Sequence, residues 1–362
     1  MKILILANND IGLYKFRKEL LEELLKKNEV FISLPNGDYI ADMEKMGCEF
    51  IDTEFSRRGK NPFAELKLLN FYKKVIKRIK PDAVLTYTVK PNIYGGIACA
   101  SLKVPYIENI TGLGTALEKH GLLQKVTLFL YRKALKSAHM VFFQNTENLD
   151  FMINHKIVKG KYDLLPGSGV NLTAYPLIEY PNGETINFVF IARIMKEKGI
   201  DQYLDAAKVI KDRHPNTRFH VCGFCEDEYK GELNKLVGTG IVEYHGLVKD
   251  MKRIYEMASC IIHPTYYPEG LSNVLLESCA SGRPIIASNR SGCKEVVEDG
   301  INGFLVEQKN SQDLIDKIEL FLSLSNEKMK EMGLAGRRKV ENEFDRTIVI
   351  TKYIKTLEQV YE

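Results

Sequence analysis

The segment 268–277 carries two carboxylates beside a predicted helix start. Glu269 and Gly270 stand where a predicted loop turns into a helix, and Glu277 follows Glu269 by eight positions. The N-terminus of a helix offers unpaired backbone N–H groups and the positive end of its dipole, so it suits phosphate. A carboxylate before the helix can accept hydrogen bonds from sugar hydroxyls, and one two turns inside can reach a ribose. The segment therefore indicates a diphosphate flanked by two sugars.

The two glutamates also admit a plainer explanation, namely a charge favoured by the helix dipole and an exposed helical side chain. Their surroundings favour the ligand interpretation. Gly282 and Pro284 end the predicted helix, and 284–288 has the unbroken apolar pattern of a buried parallel strand. In open α/β sheets, ligands bind where such strands end and loops lead into helices.

A second group of candidate residues follows the predicted strand 187–192. Arg193 and Lys198 lie five positions apart in the loop after that strand, so both can point toward one ligand. A guanidinium binds phosphate oxygens in a bidentate way, and an ammonium adds a point charge. Such groups stabilise the negative charge that builds on a departing diphosphate. The alternative is a solvated basic loop.

The elements that must position these residues alternate along the chain. The strands predicted from apolar runs are 2–7, 29–34, 83–87, 106–110, 140–144, 187–192, 218–222, 241–245, 260–263 and 284–288. The helices predicted from amphipathic periodicity are 15–27, 62–80, 92–102, 202–214, 229–236, 251–257 and 346–361. This alternation predicts an α/β fold with parallel sheets covered by helices.

Taken together, the motifs resemble the retaining GT-B glycosyltransferases of family 4. The segments that carry the likeness are Glu-x7-Glu at 269–277, then 188–199, 246–250, 291–297 and 302–306. The resemblance implies two Rossmann-like, doubly wound domains that face each other across a cleft, with a C-terminal helix crossing back to the N-terminal domain. The expected division is an acceptor-binding domain at 1–168, a linker at 169–185, a nucleotide-sugar domain at 186–340 and the returning helix within 341–362.

The resemblance also assigns roles to residues. It gives Glu269, Arg193 and Lys198 to catalysis, with Glu269 on the transferred sugar and the two cations on the diphosphate, and it places Glu277 on the ribose. Further substrate-binding positions carried over from the family are Gly12, Thr111, Gly112, Gly114, Gly223, Val248, Gly270, Leu271, Ser272 and Asn273. Thr111 stands where many members of the family have a histidine that contacts the donor sugar.

The branch of the family that this chain resembles builds capsule, O-antigen and lipid-linked glycans. The segments 90–95 and 108–114 carry that likeness. It implies a UDP-sugar donor, often of an N-acetylhexosamine or hexose, and an acceptor linked to undecaprenyl diphosphate. Lys90 has two interpretations, a contact to the acceptor pyrophosphate or a solvated lysine in a loop.

Charge is distributed unevenly. Residues 1–180 hold 26 Lys and Arg against 19 Asp and Glu, whereas the rest of the chain is slightly acidic. The basic segments 57–80 and 122–136 are interleaved with apolar residues, a pattern of helices that lie beside anionic lipid. The alternative is a sheet-covering helix with a cationic outer face, and nucleic acid is not expected because no recognition motif is present. No run of 18 apolar residues occurs, so we expect a cytoplasmic protein, peripheral on the inner face of the cell membrane.

Neither a cofactor nor a catalytic metal is expected. The seven histidines show no ligand spacing, residues 226–228 form an acidic loop, and Cys222 with Cys225 is a lone CxxC pair among core cysteines. Two alternatives to glycosyl transfer stay open. One is a GT-B sugar-nucleotide epimerase, and the other is a non-catalytic sugar-nucleotide-binding protein, against which the intact Glu269 and Arg193 argue.

Overall fold

The chain forms two compact α/β units. The computed structural model describes residues 1–53, 61–114, 117, 121–268 and 270–360. Unit 1 consists of Met1–Ser168, Pro268–Leu271 and Thr347–Glu362, and unit 2 consists of Gly169–Tyr267 and Ser272–Arg346. Each unit is built on one parallel sheet with helices packed against it, which confirms the predicted fold class.

In the described part of unit 1, parallel strands form one sheet in the order β3-β2-β1-β4-β5-β6-β7. The strands are β1 (Lys2–Leu6), β2 (Glu29–Leu34), β3 (Glu49–Asp52), β4 (Ala83–Tyr87), β5 (Tyr106–Ile110), β6 (Met140–Phe143) and β7 (Tyr162–Leu164). The helices are α1 (Asp10–Leu25), α2 (Ile40–Met46), α3 (Pro62–Ile79), a π-helical turn (Pro91–Gly95), α4 (Gly96–Leu102), α5 (Leu122–Leu135) and α6 (Thr146–Asn154). Every residue of β4 and β5 is buried, because helices cover both faces of a parallel sheet.

Helix α1 begins five residues earlier than predicted, at Asp10. The reason is an N-cap at Asn9, whose side-chain oxygen accepts a hydrogen bond from the backbone N–H of Gly12 at 2.6 Å. Gly12 therefore lies inside the first turn of a helix rather than in a loop. That turn follows the carboxyl end of β1.

The last helix of the chain, Arg346–Glu358, returns to unit 1 as the fold class requires. Val349, Tyr353 and Leu357 are buried in the same core as strands β1, β2 and β4. The Tyr353 ring packs edge-to-face on Phe142 with 5.1 Å between the ring centroids, and its hydroxyl donates to the side-chain oxygen of Asn109. The C-terminal residues are thus part of the unit 1 core.

In unit 2, the described strands form a parallel sheet in the order β10-β9-β8-β11-β12-β13. The strands are β8 (Ile186–Ile191), β9 (Thr217–Cys222), β10 (Glu243–Tyr244), β11 (Cys260–His263), β12 (Ile285–Ser288) and β13 (Gly303–Val306). The helices are α7 (Ile200–Arg213), α8 (Asp227–Gly238), α9 (Met251–Met257), α10 (Asn273–Ala280), α11 (Ser311–Leu322) and α12 (Asn326–Glu343), preceded by a 3-10 turn at Lys196–Lys198. The strand order reverses between β8 and β11.

One acidic side chain is buried in the core of unit 1. Glu108 on β5 is fully buried, and neither of its carboxyl oxygens has a hydrogen-bond partner among the described residues. Burial raises the pKa of this carboxyl well above its usual value, since ionisation without a partner in an apolar core is costly. The fold therefore favours the protonated form of Glu108.

Candidate active site

The carboxyl ends of β8 and β11 lie side by side at the strand-order reversal of unit 2. In an open α/β sheet such a reversal leaves a crevice outside the strand ends, and ligands bind there. The loop after β8 contains Arg193 and Lys198, and the segment after β11 leads to α10 and Glu277. The sequence-predicted nucleotide residues of unit 2 are thus grouped around one position in the fold.

The loop after β8 is held against the segment after β11 by a glycine. Gly199 has a φ of +77°, and a Cβ atom there would lie 2.1 Å from the backbone oxygen of Pro264. Only glycine allows this approach without displacing backbone. The backbone oxygen of Glu197 also accepts a hydrogen bond from the N–H of Tyr266 at 2.9 Å. The position of Lys198, between these two contacts, is therefore fixed by backbone.

Arg193 and Lys198 converge on one aromatic ring, that of Tyr267. The Lys198 ammonium lies 5.0 Å from the ring centroid, and the Arg193 guanidinium carbon lies 5.9 Å from it. Both distances permit cation–π attraction, which holds two like charges near each other. Two cations on a single ring create a positive site suited to a diphosphate. Tyr267 was not predicted from the sequence, where its only distinguishing feature is that it is an aromatic residue just before Pro268.

Glu226 is the acidic neighbour of Arg193. One Arg193 guanidinium nitrogen lies 3.7 Å from a Glu226 carboxylate oxygen, and both side chains are more than one-third exposed. This is a loose, solvent-screened ion pair rather than a buried one. A more highly charged anion can therefore compete with Glu226 for the guanidinium. The sequence indicated only an acidic loop at residues 226–228.

The start of α10 differs from the phosphate-binding arrangement that the sequence suggested. Ser272 is the N-cap residue, yet its hydroxyl contacts His263 Nε2 at 3.2 Å instead of capping the helix. Its backbone N–H donates to the backbone oxygen of Gly292 at 3.0 Å. The backbone N–H of Ser272 is therefore hydrogen-bonded within unit 2, whereas the sequence predicted that it would bind phosphate. Asn273 is the first residue of the helix.

Glu277 is oriented by a buried tyrosine. The Tyr255 hydroxyl donates to a Glu277 carboxylate oxygen at 3.0 Å, and Tyr255 is fully buried. Burial, reinforced by the nearby carboxylate, raises the pKa of Tyr255 well above its usual value, so its hydroxyl remains a donor. Glu277 itself is half-buried. A carboxylate has two oxygens that can each accept more than one hydrogen bond, so the Tyr255 contact does not by itself exclude a ligand hydroxyl.

The two remaining predicted residues of unit 2 support the loop that carries Arg193. The N–H of Gly223 donates to the backbone oxygen of Gly246 at 2.8 Å, and the Tyr244 hydroxyl donates to the backbone oxygen of Gly223 at 3.0 Å. A Cβ at position 223 would lie 1.8 Å from the backbone oxygen of Ala192. Val248 packs against the core cluster under β8.

Unit 1 brings together another set of predicted residues. Gly270 approaches Thr111 so closely that a Cβ would lie 2.5 Å from the Thr111 backbone oxygen. The Asn145 side-chain amide donates to the Gly270 oxygen at 2.5 Å, and Leu271 packs on Gly167. Gly112 and Gly114 follow Thr111 with positive φ angles. Asn145 is a residue that the sequence analysis did not identify, because it meets Gly270 only through folding.

Two further sequence predictions concern Glu269 and Lys90. Glu269 lies outside the described residues, so its predicted role stays a prediction; residues 57, 58 and 60 of the first basic segment lie outside them too. Lys90 is not a solvated loop lysine, since its ammonium lies 2.5 Å from a Glu65 carboxylate oxygen and both side chains are mostly buried.

The sequence shows no ligand spacing among the seven histidines, yet His220 and His245 meet in the fold. The pairing of β9 with β10 brings these two residues and Glu243 together, with their ligand atoms within 4.8 Å of one another. The cluster is formed by β9 and β10, whereas Arg193 and Lys198 belong to the loop after β8. It does not bear on the prediction that the catalytic site works without a metal.

Comparison with known proteins agrees with the assignment from motifs. A family model described as glycosyl transferases group 1 matches residues 179–339, and one described as glycosyl transferase 4-like matches residues 2–145. Between them, these models match most of both units.

Individual relatives extend over nearly the whole chain. An N,N'-diacetylbacillosaminyl-diphospho-undecaprenol alpha-1,3-N-acetylgalactosaminyltransferase of Campylobacter jejuni is 27% identical, with 99% of each chain covered. The capsular polysaccharide biosynthesis glycosyltransferase CapM of Staphylococcus aureus is 25% identical, with 90% of this chain and 89% of CapM covered. In solved structures, Anabaena HepE bound to UDP-glucose shares the fold with a TM-score of 0.80 at 18% identity, covering 99% of this chain and 100% of HepE.

Proposed function

Because the chain belongs to the glycosyltransferases, with a group 1 region and a 4-like region, we propose that it moves a sugar from a UDP-sugar to a lipid-linked saccharide with retention of anomeric configuration. The name of the Campylobacter relative gives an undecaprenol-linked substrate and N-acetylgalactosaminyl transfer, and CapM is named for capsule biosynthesis. HepE has been crystallised with UDP and with UDP-glucose. These names support an N-acetylhexosamine or hexose donor and a product in capsule, O-antigen or a related glycan.

The observation that carries the proposal is the convergence of Arg193 and Lys198 on Tyr267. Both cations lie beside the carboxyl end of β8, at the crevice of the unit 2 sheet. As the sugar leaves, negative charge grows on the diphosphate, and groups already held in place stabilise it without reorganising. We expect these two cations to replace a divalent metal as the counter-charge.

The nucleoside end of the donor is assigned to Glu277. Its carboxylate is oriented by Tyr255 and can accept hydrogen bonds from the two ribose hydroxyls. Glu277 lies in the second turn of α10, which follows β11, the strand beside β8 at the sheet reversal. In this proposal the ribose and the diphosphate are thus both held by unit 2.

The proposed reaction keeps atoms and electrons balanced. The bond between the anomeric carbon and the diphosphate oxygen breaks, and its electron pair goes to UDP. The acceptor hydroxyl oxygen forms the new bond on the same face of the sugar, and its proton passes to the departing diphosphate. Glu269 is assigned by family resemblance to the transferred sugar, as an organiser of the donor rather than a nucleophile.

A donor panel tests this function. The full chain is incubated with UDP-, GDP- and dTDP-hexoses and N-acetylhexosamines, with and without an undecaprenyl-diphosphate-linked saccharide, and nucleotide release is measured. We expect UDP release from a UDP-sugar that rises with the acceptor, and a product whose anomeric configuration matches that of the donor. An epimerase would instead convert the UDP-sugar without releasing more UDP in the presence of acceptor, and a binding protein would do neither.

The acceptor side of the proposal includes contact with an anionic membrane. Helices α3 and α5 both pack against α4 and the π-helical turn, and each leaves large apolar side chains in solvent. Phe63 on α3 is 84% exposed, and Leu122 on α5 is 79% exposed. Exposed apolar side chains next to basic ones are typical of surfaces that lie in a bilayer interface.

Helix α5 has the clearest surface of this kind. Its exposed side chains are apolar or basic, and the helix contains no acidic residue. The exposed apolar set is Leu122, Leu123, Val126 and Phe129, and the Lys133 ammonium lies 4.6 Å from the Phe129 ring centroid. Among the described residues no helix is both apolar and long enough to cross a bilayer. We therefore propose peripheral attachment by these two helices.

Vesicle co-sedimentation tests the attachment. Anionic lipid attracts each nearby Lys or Arg by about 1 kcal/mol, and salt screens this attraction. Binding to vesicles with phosphatidylglycerol should therefore weaken as salt rises, and it should fall when Lys73, Lys74, Lys77 and Arg78 are changed together to Gln. Leu122→Ser with Phe129→Ser should also reduce binding, whereas Ile301→Ser, an exposed apolar residue of unit 2, should not. Equal binding by all forms would refute the surface.

A further inference from the structure

We propose that His220, Glu243 and His245 form a zinc-class metal site at the edge of the unit 2 sheet. His220 lies on β9 and is paired directly across the ladder with Glu243 on β10, and His245 follows β10 by one residue. His220 is buried, whereas Glu243 and His245 are exposed, so an ion can enter from solvent. Two imidazoles and one carboxylate are a ligand set that Zn²⁺ accepts, with a fourth position left for water.

The spacing of the ligand atoms fits one ion. His220 Nδ1 lies 3.0 Å from His245 Nε2 and 3.6 Å from a Glu243 carboxylate oxygen. Zinc bonds of about 2.0–2.1 Å in tetrahedral geometry place ligand atoms roughly 3.4 Å apart. The observed distances lie on either side of that value. The third pair of ligand atoms, those of Glu243 and His245, lies within 4.8 Å, so small side-chain rotations can bring all three atoms to this spacing.

Neighbouring groups orient the ligands. His220 Nε2 lies 3.0 Å from the side-chain oxygen of Asn187, which can only accept, so Nε2 carries the proton and the Nδ1 lone pair faces the cluster. Support of the non-ligating nitrogen in this way is typical of metal-bound histidines. Arg218 lies 3.6 Å from the second oxygen of Glu243, which leaves the first oxygen toward His220. On binding, the proton now between His220 and His245 is displaced.

The site has a structural consequence for the neighbouring loop. Strand β10 has only two residues and lies at the edge of the sheet. It nevertheless supports the Gly223 turn, because Tyr244 donates to the Gly223 oxygen and Gly223 donates to the Gly246 oxygen. An ion joining β9 to both ends of β10 would fasten this short strand. The metal therefore acts on stability rather than on the sugar-transfer chemistry, and the inference does not depend on the proposed function.

Titration of the metal alone tests the site. The full chain is freed of metal with chelator, dialysed, and titrated with Zn²⁺ by calorimetry, and its melting temperature is recorded with and without the ion. We expect one ion per chain and a higher melting temperature with Zn²⁺. His245→Ala, a change at an exposed position, should weaken binding about 100-fold or more, and Asn187→Ala should weaken it about 10- to 100-fold.

A matched control is available in the same unit. His214 also contacts a carboxylate, that of Glu319 at 2.6 Å, but has no second imidazole beside it. His214→Ala should bind Zn²⁺ as the native chain does. Co²⁺ in place of Zn²⁺ should give the visible bands of a nitrogen and oxygen site without a thiolate charge-transfer band, which excludes the seven cysteines. Failure of the native chain to bind, equal binding by His245→Ala, or a thiolate band would overturn the proposal.

Discussion

Arg193 should contribute to transfer far more than its acidic neighbour does. Replacing Arg193 by Ala removes one of the two cations on Tyr267, whereas replacing Glu226 by Gln removes the charge that competes for that cation. The two changes act on the same ion pair from opposite sides. We therefore expect opposite effects on kcat/KM, with very different sizes.

The magnitudes follow from the distances and exposure. Two unit charges about 4 Å apart near a protein surface interact by about 4 kcal/mol, and by about 1 kcal/mol in full water. In a transition state from which water is excluded, the attraction between Arg193 and the diphosphate approaches the upper of these two energies. Arg193→Ala should therefore cost about 2–4 kcal/mol, or roughly 30- to 900-fold in kcat/KM. The Glu226 pair is exposed at 3.7 Å, and such pairs are worth about 0–1 kcal/mol. Glu226→Gln should therefore raise kcat/KM by no more than about fivefold.

The assay is UDP release at low donor concentration with saturating acceptor. Arg253→Ala is the matched control, because Arg253 is an exposed arginine of the same unit paired at 3.6 Å with Asp250. Arg253→Ala changes the net charge by the same amount as Arg193→Ala and should leave kcat/KM unchanged. Full activity in Arg193→Ala would exclude Arg193 from the diphosphate site. An equal loss in Arg253→Ala would show that a general charge effect had been mistaken for that site.

Three further predictions concern orientation, the buried acid and metal. Tyr255→Phe should weaken UDP binding by about 1 kcal/mol, roughly fivefold in Kd by calorimetry, because Glu277 loses its orienting donor; an unchanged Kd would exclude that role. Burial favours the protonated form of Glu108 in the fold, whereas the unfolded carboxyl ionises above about pH 4.3. The native chain should therefore lose up to about 1.4 kcal/mol of stability per pH unit as the pH rises from that value toward the folded pKa. The melting temperature of Glu108→Gln should accordingly rise relative to the native chain between pH 5 and pH 8, and a constant difference would mean that Glu108 is ionised in the fold. Turnover should survive excess chelator even though the chelator empties the His220 site; loss of turnover restored by magnesium or manganese would refute a metal-free diphosphate site.

The sequence predicted those parts of the site that depend on local order along the chain. Arg193 and Lys198 follow a strand with an unbroken apolar pattern, and Gly199 marks the turn behind them. The helix bearing Glu277 was likewise visible from the Gly and Pro residues that end it. Strand and helix patterns are local, so short-range rules were enough to place them.

The missed residues depend on contacts between distant segments. Tyr267 meets Arg193 and Lys198 only when the loops after β8 and β11 come together, and Tyr255 reaches Glu277 from another helix. His220 and His245 are joined by strand pairing, and nothing in their spacing indicates it. The helix start at Asp10 was misjudged for a local reason, since the cap at Asn9 was not recognised.

The most direct test of the central claim is a crystal structure of the chain with UDP. The account predicts diphosphate oxygens within hydrogen-bonding distance of Arg193 and Lys198, above the ring of Tyr267, with the ribose hydroxyls on Glu277. UDP bound at another place in the chain, or a diphosphate held without either cation, would contradict the assignment of these strand ends to the nucleotide.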